Sequence, residues 1–294
     1  MGKTVRYQVA RIPFDVRFDD SCDFHKLLPS FTPFVMIEDD TVPVFSLTID
    51  SSLEFPEGRE IGKFDSGDSC HEVYHLSDGG YAIVISDVAH RRCCDLVVNA
   101  DFSQGRVRLT DDTRLQSFGL NNTLMLMYAF STADKNTLLM HASVVTYHGK
   151  GYMFLGESGT GKSTHTANWL RYIPDTALLN DDNPVVRFVD GQTRVFGSPW
   201  SGKTPCYKNE EALVGGFVQL KQAPYNIIRC TTPVEAFAYL LPSCSVMKWD
   251  KRVYLGICDT LKYVMESTPT YFLENLPDEA AVRMSFNQLV HGSH

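Results

Sequence analysis

GESGTGKSTHT occupies residues 156–166. Its fixed positions, Gly156, Gly161, Lys162 and Ser163, satisfy the pattern GxxxxGK[ST]. The spacing has a chemical reason. Glycines let consecutive backbone N–H groups turn inward around a phosphate. A lysine then reaches the phosphate oxygens, a serine hydroxyl faces a divalent cation, and the next helix adds its partly positive N-terminus. A bare glycine turn fits the pattern too, so context decides. GYMFL, residues 151–155, reads as a strand entering the loop, and residues 162–171 read as the helix leaving it. The loop from Gly156 through Glu157, Ser158, Gly159, Thr160 and Gly161 to Lys162, Ser163 and Thr164 is therefore the candidate cofactor-binding segment. His165, the next residue, reads as solvated or as lying on the nucleoside side.

Working outward, Asp181 and Asp182 end the apolar run LLN, 19 and 20 residues after Lys162. An acidic residue at a strand end beside such a loop suits a magnesium ion, with Asp181 and Ser163 as its expected protein ligands. A second carboxylate beside it suits proton acceptance, and two close carboxylates push their proton affinities apart. Asp-Asp-Asn-Pro is also good turn chemistry, so a solvated turn is the competing reading. Upstream, TLLMHASVVTYHGKGYMFLG reads as two strands joined at HGKG, with His141 opening the first. Taken alone, a histidine there is most simply a satisfied core residue.

The chain has 294 residues, 44% hydrophobic and 21% charged, which is ample for a real core and ordinary for a folded chain. The net charge of -8, with no basic cluster, argues against a nucleic-acid partner and an anionic membrane surface. No run of 18 apolar residues is present, and the N-terminal MGKTVRYQVARIPFDVRF has no apolar leader. The eight cysteines, Cys22, Cys70, Cys93, Cys94, Cys206, Cys230, Cys244 and Cys258, include no CxxC pair, so reduced thiols in a cytoplasmic protein are expected.

Residues 1–118 read as a β-rich accessory domain. YQVARI, VPVFSLTI, YAIVISDV, DLVVNA and RVRLT are strand-like runs, separated by the turn signals PEGRE, DSGDS and SDGGY. Residues 19–40 carry no clear pattern. Residues 119–294 read as one α/β domain opening on a buried helix over 120–132, with Gly119 just before it. Beyond the loop, the sequence predicts a strand over 176–180 and a hairpin over 184–197 turning at Asp190-Gly191. It also predicts helix or strand over 210–218, a strand at YNIIRCT and a helix capped by Thr232 with Pro233 in its first turn. Helices are expected over 250–266 and 277–290. The fold class is mixed α/β: a β-rich region followed by a phosphate-loop domain.

LLMHASVV (138–145), GYMFLGESGTGKST (151–164) and LLNDDNPVV (178–186) together resemble the kinase domain of the HPr serine kinase/phosphorylase group. That group is related to ATP-dependent phosphoenolpyruvate carboxykinase. GSPWSGK (197–203) is similar to a segment of HPr-kinase-like proteins of unassigned substrate. The resemblance covers roughly residues 120–240. It implies that residues 156–163 bind ATP phosphates, Asp181 serves the metal, Asp182 is the base and His141 assists the acid–base step. It further implies a mobile substrate-side loop at residues 198–203, with Lys203 as its cation. The loop that grips the protein HPr and the carboxykinase residues for oxaloacetate have no counterpart here.

The expected activity is thus ATP-dependent, magnesium-assisted phosphoryl transfer to a hydroxyl acceptor, either a protein serine or a small molecule. The catalytic candidates are Lys162, Asp182, His141 and Lys203. The alternatives are a nucleotide-binding regulatory or assembly module, and a carboxykinase-like lyase. Self-association as a homo-oligomer is left open. Trp200 reads as a buried anchor or a pocket wall. Arg187 and Arg194 read as solvated or aimed at phosphate.

Overall fold

The computed structural model describes residues 2–19, 23–36, 40–65, 69–202 and 204–292. Cys22 and Lys203 lie outside them, as do the middle three residues of DSGDS (65–69), where the sequence predicts a turn. The chain is mixed α/β and divides into two compact units, Met1–Thr132 and Ala133–His294.

The first unit is an eight-stranded sheet over β1 (Lys3–Val9), β2 (Ile12–Phe18), β3 (Ser46–Ile49), β4 (Arg59–Asp65), β5 (Ser69–His75), β6 (Tyr81–Asp87), β7 (Arg92–Val98) and β8 (Gln104–Leu109). Their spatial order is β1-β2-β3-β8-β7-β6-β5-β4. The run YQVARI is broken, because Ala10 and Arg11 both take positive φ, 50° and 64°, and close a two-residue hairpin. The expected hairpin tip at SDGG is present, with Gly79 at φ 87° and Asp78 accepting from the Gly80 N–H. A short helix, α1 (Phe24–Leu27), lies in the stretch that carried no pattern.

The boundary expected after residue 118 falls instead after Thr132. Helix α2 (Thr113–Ser131) starts seven residues before the predicted 120, at a cap where Asp112 accepts from the Arg114 N–H. It packs on β6, β7 and β8. Leu120, Leu124, Met127 and Tyr128 are fully buried, and the Tyr128 hydroxyl donates to the Val9 carbonyl. Burying that apolar face against the first sheet is what assigns the helix to the first unit. Gly119 lies inside the helix, where a Cβ would sit 3.0 Å from the Cys94 sulfur.

The second unit contains β9 (Thr137–Leu139), β10 (Ala142–Tyr147), β11 (Lys150–Leu155), α3 (Lys162–Tyr172), β12 (Thr176–Asp182), β13 (Val185–Val189), β14 (Gln192–Phe196) and β15 (Glu211–Gln222). It continues through β16 (Ile227–Cys230), α4 (Pro233–Leu240), α5 (Lys251–Ser267), β17 (Thr270–Asn275) and α6 (Glu279–Phe286). The strands form one sheet ordered β12-β10-β11-β15-β14-β13-β9, with β17 also on β15 and β16 outside β17. Residues 210–218, readable either way, are strand. The hairpin turns at Asp190 and Gly191 as expected, both at positive φ. Thr232 forms a full capping box with Glu235. The predicted 277–290 helix is α6 followed by one π-type turn over Asn287–His291.

Strands β11, β15 and β17 run parallel. Their C-terminal ends therefore emerge at one edge, the position where open α/β sheets gather ligands. Beneath that edge, Tyr152, Phe154, Trp169, Val218, Leu273 and Val282 form a buried core joining α3 and α6 to the sheet. Truncating Trp169 there would cost roughly 3–5 kcal/mol.

Candidate functional site

The strand β11, the glycine loop and helix α3 follow one another as the sequence requires. The loop turns on positive φ at Gly156 (145°), Gly159 (85°) and Gly161 (100°). At Gly156 a Cβ would also fall 2.5 Å from the Thr160 hydroxyl oxygen, which donates to the Glu157 carbonyl. No side chain caps α3, which leaves its first-turn N–H groups without a side-chain acceptor at the end of the loop. Lys162 bends back, its Nζ donating to the Gly156 and Glu157 carbonyls at 2.7 and 3.2 Å. Desolvation lowers its affinity for the proton, while the charges of Asp182 and Asp181 work to hold the proton on.

Asp181 and Asp182 are not in a turn. They are the last residues of β12, which runs two residues beyond its predicted end. Strand alternation sends their side chains to opposite sides. Asp181 is 7% exposed, and its Oδ1 accepts from the Ser163 hydroxyl at 3.0 Å and the Ser143 hydroxyl at 2.8 Å. Ser143 in turn accepts from Thr166 of α3 at 2.8 Å. The pairing of β10 with β12 sets this up, because Ser143 lies directly opposite Asp181. Asp182 is more open and pairs with His141, Nδ1 to Oδ1 at 3.0 Å, while Asn183 donates to its Oδ2 at 2.7 Å. His141 sits between β9 and β10 with its side chain 45% exposed, so it is not a buried core histidine.

The segment 198–202 is seated against this pair. Ser201 bridges Asp182 through the backbone, and the Gly202 N–H donates to the Asp181 carbonyl at 3.3 Å. A Cβ on Gly202 would fall 2.8 Å from that carbonyl oxygen and 3.2 Å from the Asp182 Cβ, so the approach needs glycine. Buried Asn180 fixes the segment from below by donating to the Ser198 hydroxyl and the Trp200 carbonyl. Trp200 is 4% exposed, which makes it the anchor rather than an open wall. Lys203, the expected cation of this segment, lies outside the described residues.

Other candidates fall elsewhere. Arg194 pairs with Glu211, and Arg187 donates to Thr137, both at the hairpin. His165 is 1% exposed rather than solvated. Its Nε2 lies 3.1 Å from the Ser285 hydroxyl, to which Trp169 also donates, and burial pushes its pKa down to about 4. Ser143 and Asn180 are site residues that the sequence left unmarked, whereas Thr166 closes the quoted 156–166 stretch and Gly202 lies in the expected 198–203 segment, neither with an individual role. The one local signal was a pair of hydroxyl residues, Ser143 and Thr166, within otherwise explained elements.

Among the described residues, no three His, Cys, Asp or Glu side chains converge as a metal cage, and no helix is long and apolar enough to cross a membrane. The donors at the loop are instead one carboxylate and one hydroxyl, a small hard-oxygen set. No family model matches this chain, and no curated protein matches it.

Proposed function

We propose that the chain is an ATP-dependent kinase transferring a phosphoryl group to a hydroxyl acceptor. The observation that carries this reading is the different setting of two consecutive carboxylates beside one glycine loop. Asp181 is buried and holds Ser163 at the start of α3, whereas Asp182 is more exposed and holds His141. Two carboxylates in two environments take two roles.

The loop amides and the uncapped start of α3 bind the phosphates. Lys162 exchanges its two carbonyl acceptors for phosphate oxygens. Ser163 and Asp181 fit magnesium, which takes oxygen donors and keeps most of its coordination sphere for phosphate and water. When bound, magnesium neutralises charge on the phosphates. Ser143 and Thr166 keep the Asp181 carboxylate turned toward Ser163. Asp182 takes the proton of the acceptor hydroxyl, and His141 and Asn183 fix the orientation of its carboxylate. The 198–202 segment walls the acceptor side, with Lys203 as the proposed cation one residue beyond Gly202. Catalysis on this reading is positioning and electrostatics. The resemblance to the HPr-kinase-like group supports the chemistry and leaves a protein serine and a small hydroxyl compound as acceptor classes.

The test is transfer from γ-labelled ATP with magnesium to a panel of hydroxyl metabolites and to total cell protein. Label should enter one acceptor class and vanish in Lys162→Ala. In Asp182→Asn it should fall about 10²–10⁴-fold with ATP binding retained. ATP binding with no labelled acceptor would instead make the chain a nucleotide-binding regulatory module. Full transfer by Asp182→Asn would remove the base assignment.

A further inference from the structure

The hydroxyl groups around the paired carboxylates differ in how firmly they are committed. Ser143 and Thr166 are buried and bonded toward Asp181, and Ser163 bonds the same carboxylate. Ser198 is fully buried, with its Oγ 2.6 Å from the Asn183 carbonyl and 3.0 Å from the Trp200 carbonyl. Ser201 is only half-buried, and it stands directly across a backbone bridge from Asp182. We propose that Ser201 is itself a phosphoryl acceptor, so that the chain phosphorylates its own 198–202 segment within one molecule. The inference rests on the reading of residues 156–163 as the phosphate site and of Asp182 as the base.

Backbone geometry carries the argument. The Gly202 N–H donates to the Asp181 carbonyl at 3.3 Å, just beside the bridge between Asp182 and Ser201. Those two residues are therefore a non-hydrogen-bonded antiparallel pair. In such a pair the facing Cα atoms stand only about 4.5 Å apart and the side chains come closest. Paired residues also share one face, so the Ser201 side chain leaves the backbone on the same side as that of Asp182. The Asp182 carboxyl carbon would lie 3.4 Å from a Cβ on Gly202, which shows the carboxylate leaning along this segment. The Ser201 Oγ donates to the Thr204 carbonyl at 2.6 Å. Rotation about its single side-chain torsion exchanges that acceptor for Asp182.

The phosphoryl donor reaches the same place. Lys162 is the residue that contacts the terminal phosphates in a loop of this pattern. Among the charges acting on Lys162, Asp182 weighs most, ahead of Asp181. The serine is also held in position. Asn180 fixes Ser198 and Trp200 from below, and buried Trp200 anchors the residue next to Ser201. A hydroxyl fixed in this way has a large advantage over one arriving from solution. In the step, Ser201 Oγ bonds to the γ-phosphorus of ATP, and the bond from that phosphorus to the β–γ bridging oxygen breaks. The hydroxyl proton passes to Asp182, and ADP leaves.

The test is incubation of the full chain with magnesium and γ-labelled ATP and no added acceptor. The readouts are intact mass and fragmentation of the tryptic peptide covering residues 195–203. One phosphoryl group per chain should appear on Ser201, at a rate per chain independent of protein concentration. Label should fall at least about a hundredfold in Ser201→Ala and in Asp182→Asn, with ATP binding retained to show that both variants are folded. Ser201→Thr should recover the label as phosphothreonine, which a merely structural role for Ser201 would not give. Label on Ser198 or Thr204 instead, or a rate per chain that rises with protein concentration, would overturn the proposal. An unlabelled chain that still transfers label to an outside acceptor would overturn it too, while leaving the kinase reading standing. ATP bound, with label in neither the chain nor any acceptor, would overturn both.

Discussion

Replacing Ser143 with alanine perturbs one buried oxygen whose partners are all defined. Its Oγ, in a residue 1% exposed, donates to Asp181 and accepts from Thr166, each at 2.8 Å. A hydrogen bond to a charged group contributes about 1.5–3 kcal/mol. The Thr166 hydroxyl, also buried, loses its acceptor but lies on a helix, where it can turn to a carbonyl one turn back. The cost should therefore stay near the charged-bond figure, roughly 2–3 kcal/mol. For a unit the size of residues 133–294 this is a fall in Tm of roughly 4–12 °C. The assay is urea unfolding followed by tryptophan fluorescence. All three tryptophans, Trp169, Trp200 and Trp249, lie beyond Thr132, so the signal reports the second unit alone. A double-mutant cycle with Asp181→Ala should show coupling on the order of 1–3 kcal/mol. Thr146→Val is the control. That hydroxyl, on the same strand, is exposed and bonds only the Ala177 carbonyl, so the change should stay within about 0.5 kcal/mol. A Ser143→Ala cost below about 0.5 kcal/mol, or strict additivity with Asp181→Ala, would refute the claim that Ser143 holds the carboxylate.

His165 is buried and its pKa lowered to about 4 from 6.5, so the unfolded chain binds the proton more tightly. The stabilisation from its neutral form is complete above pH 6.5 and is lost as pH falls from there toward 4. Wild type should lose about 3 kcal/mol relative to His165→Gln between pH 7 and pH 4, and parallel profiles would contradict this. Gly202→Ala should leave stability of the core unchanged but displace the 198–202 segment from Asp182. Transfer should then fall about tenfold or more, and an unchanged rate would show that the segment does not need this close approach. Asp182→Asn removes the charge that most favours the Lys162 ammonium. Lys162 should then react faster with an amine-modifying reagent at fixed pH, as read by peptide mass analysis, and a slower reaction would count against the contact.

Much of the second unit was legible because its signals are local. Glycines at positive φ, the Asp190-Gly191 turn and the Thr232 cap act within a few residues, and each appears where the sequence put it. The first unit was harder. Strands β4 and β5 carry charged and histidine residues that hide their alternation, and the hairpin at Ala10-Arg11 uses residues with no turn preference. Helix α2 was visible as apolar but not as belonging to the first sheet. Which surface buries an apolar face is decided by the partner surface, not by the face itself.

At the site, the sequence alone marked the loop and the two aspartates, because their spacing along the chain fits one pattern, while His141 was pointed to by the resemblance and not by its own residues. Tertiary structure decided how they divide. Register between β10 and β12 set Ser143 against Asp181, and strand alternation turned Asp182 to His141. The same holds for a cleft of about 580 Å³ beside the loop, whose walls come from the ends of β15 and β17 and the start of α3. Such groups are distant along the chain and share no local pattern. Only the pairing of parallel strands, driven by burial of the core beneath them, brings them together.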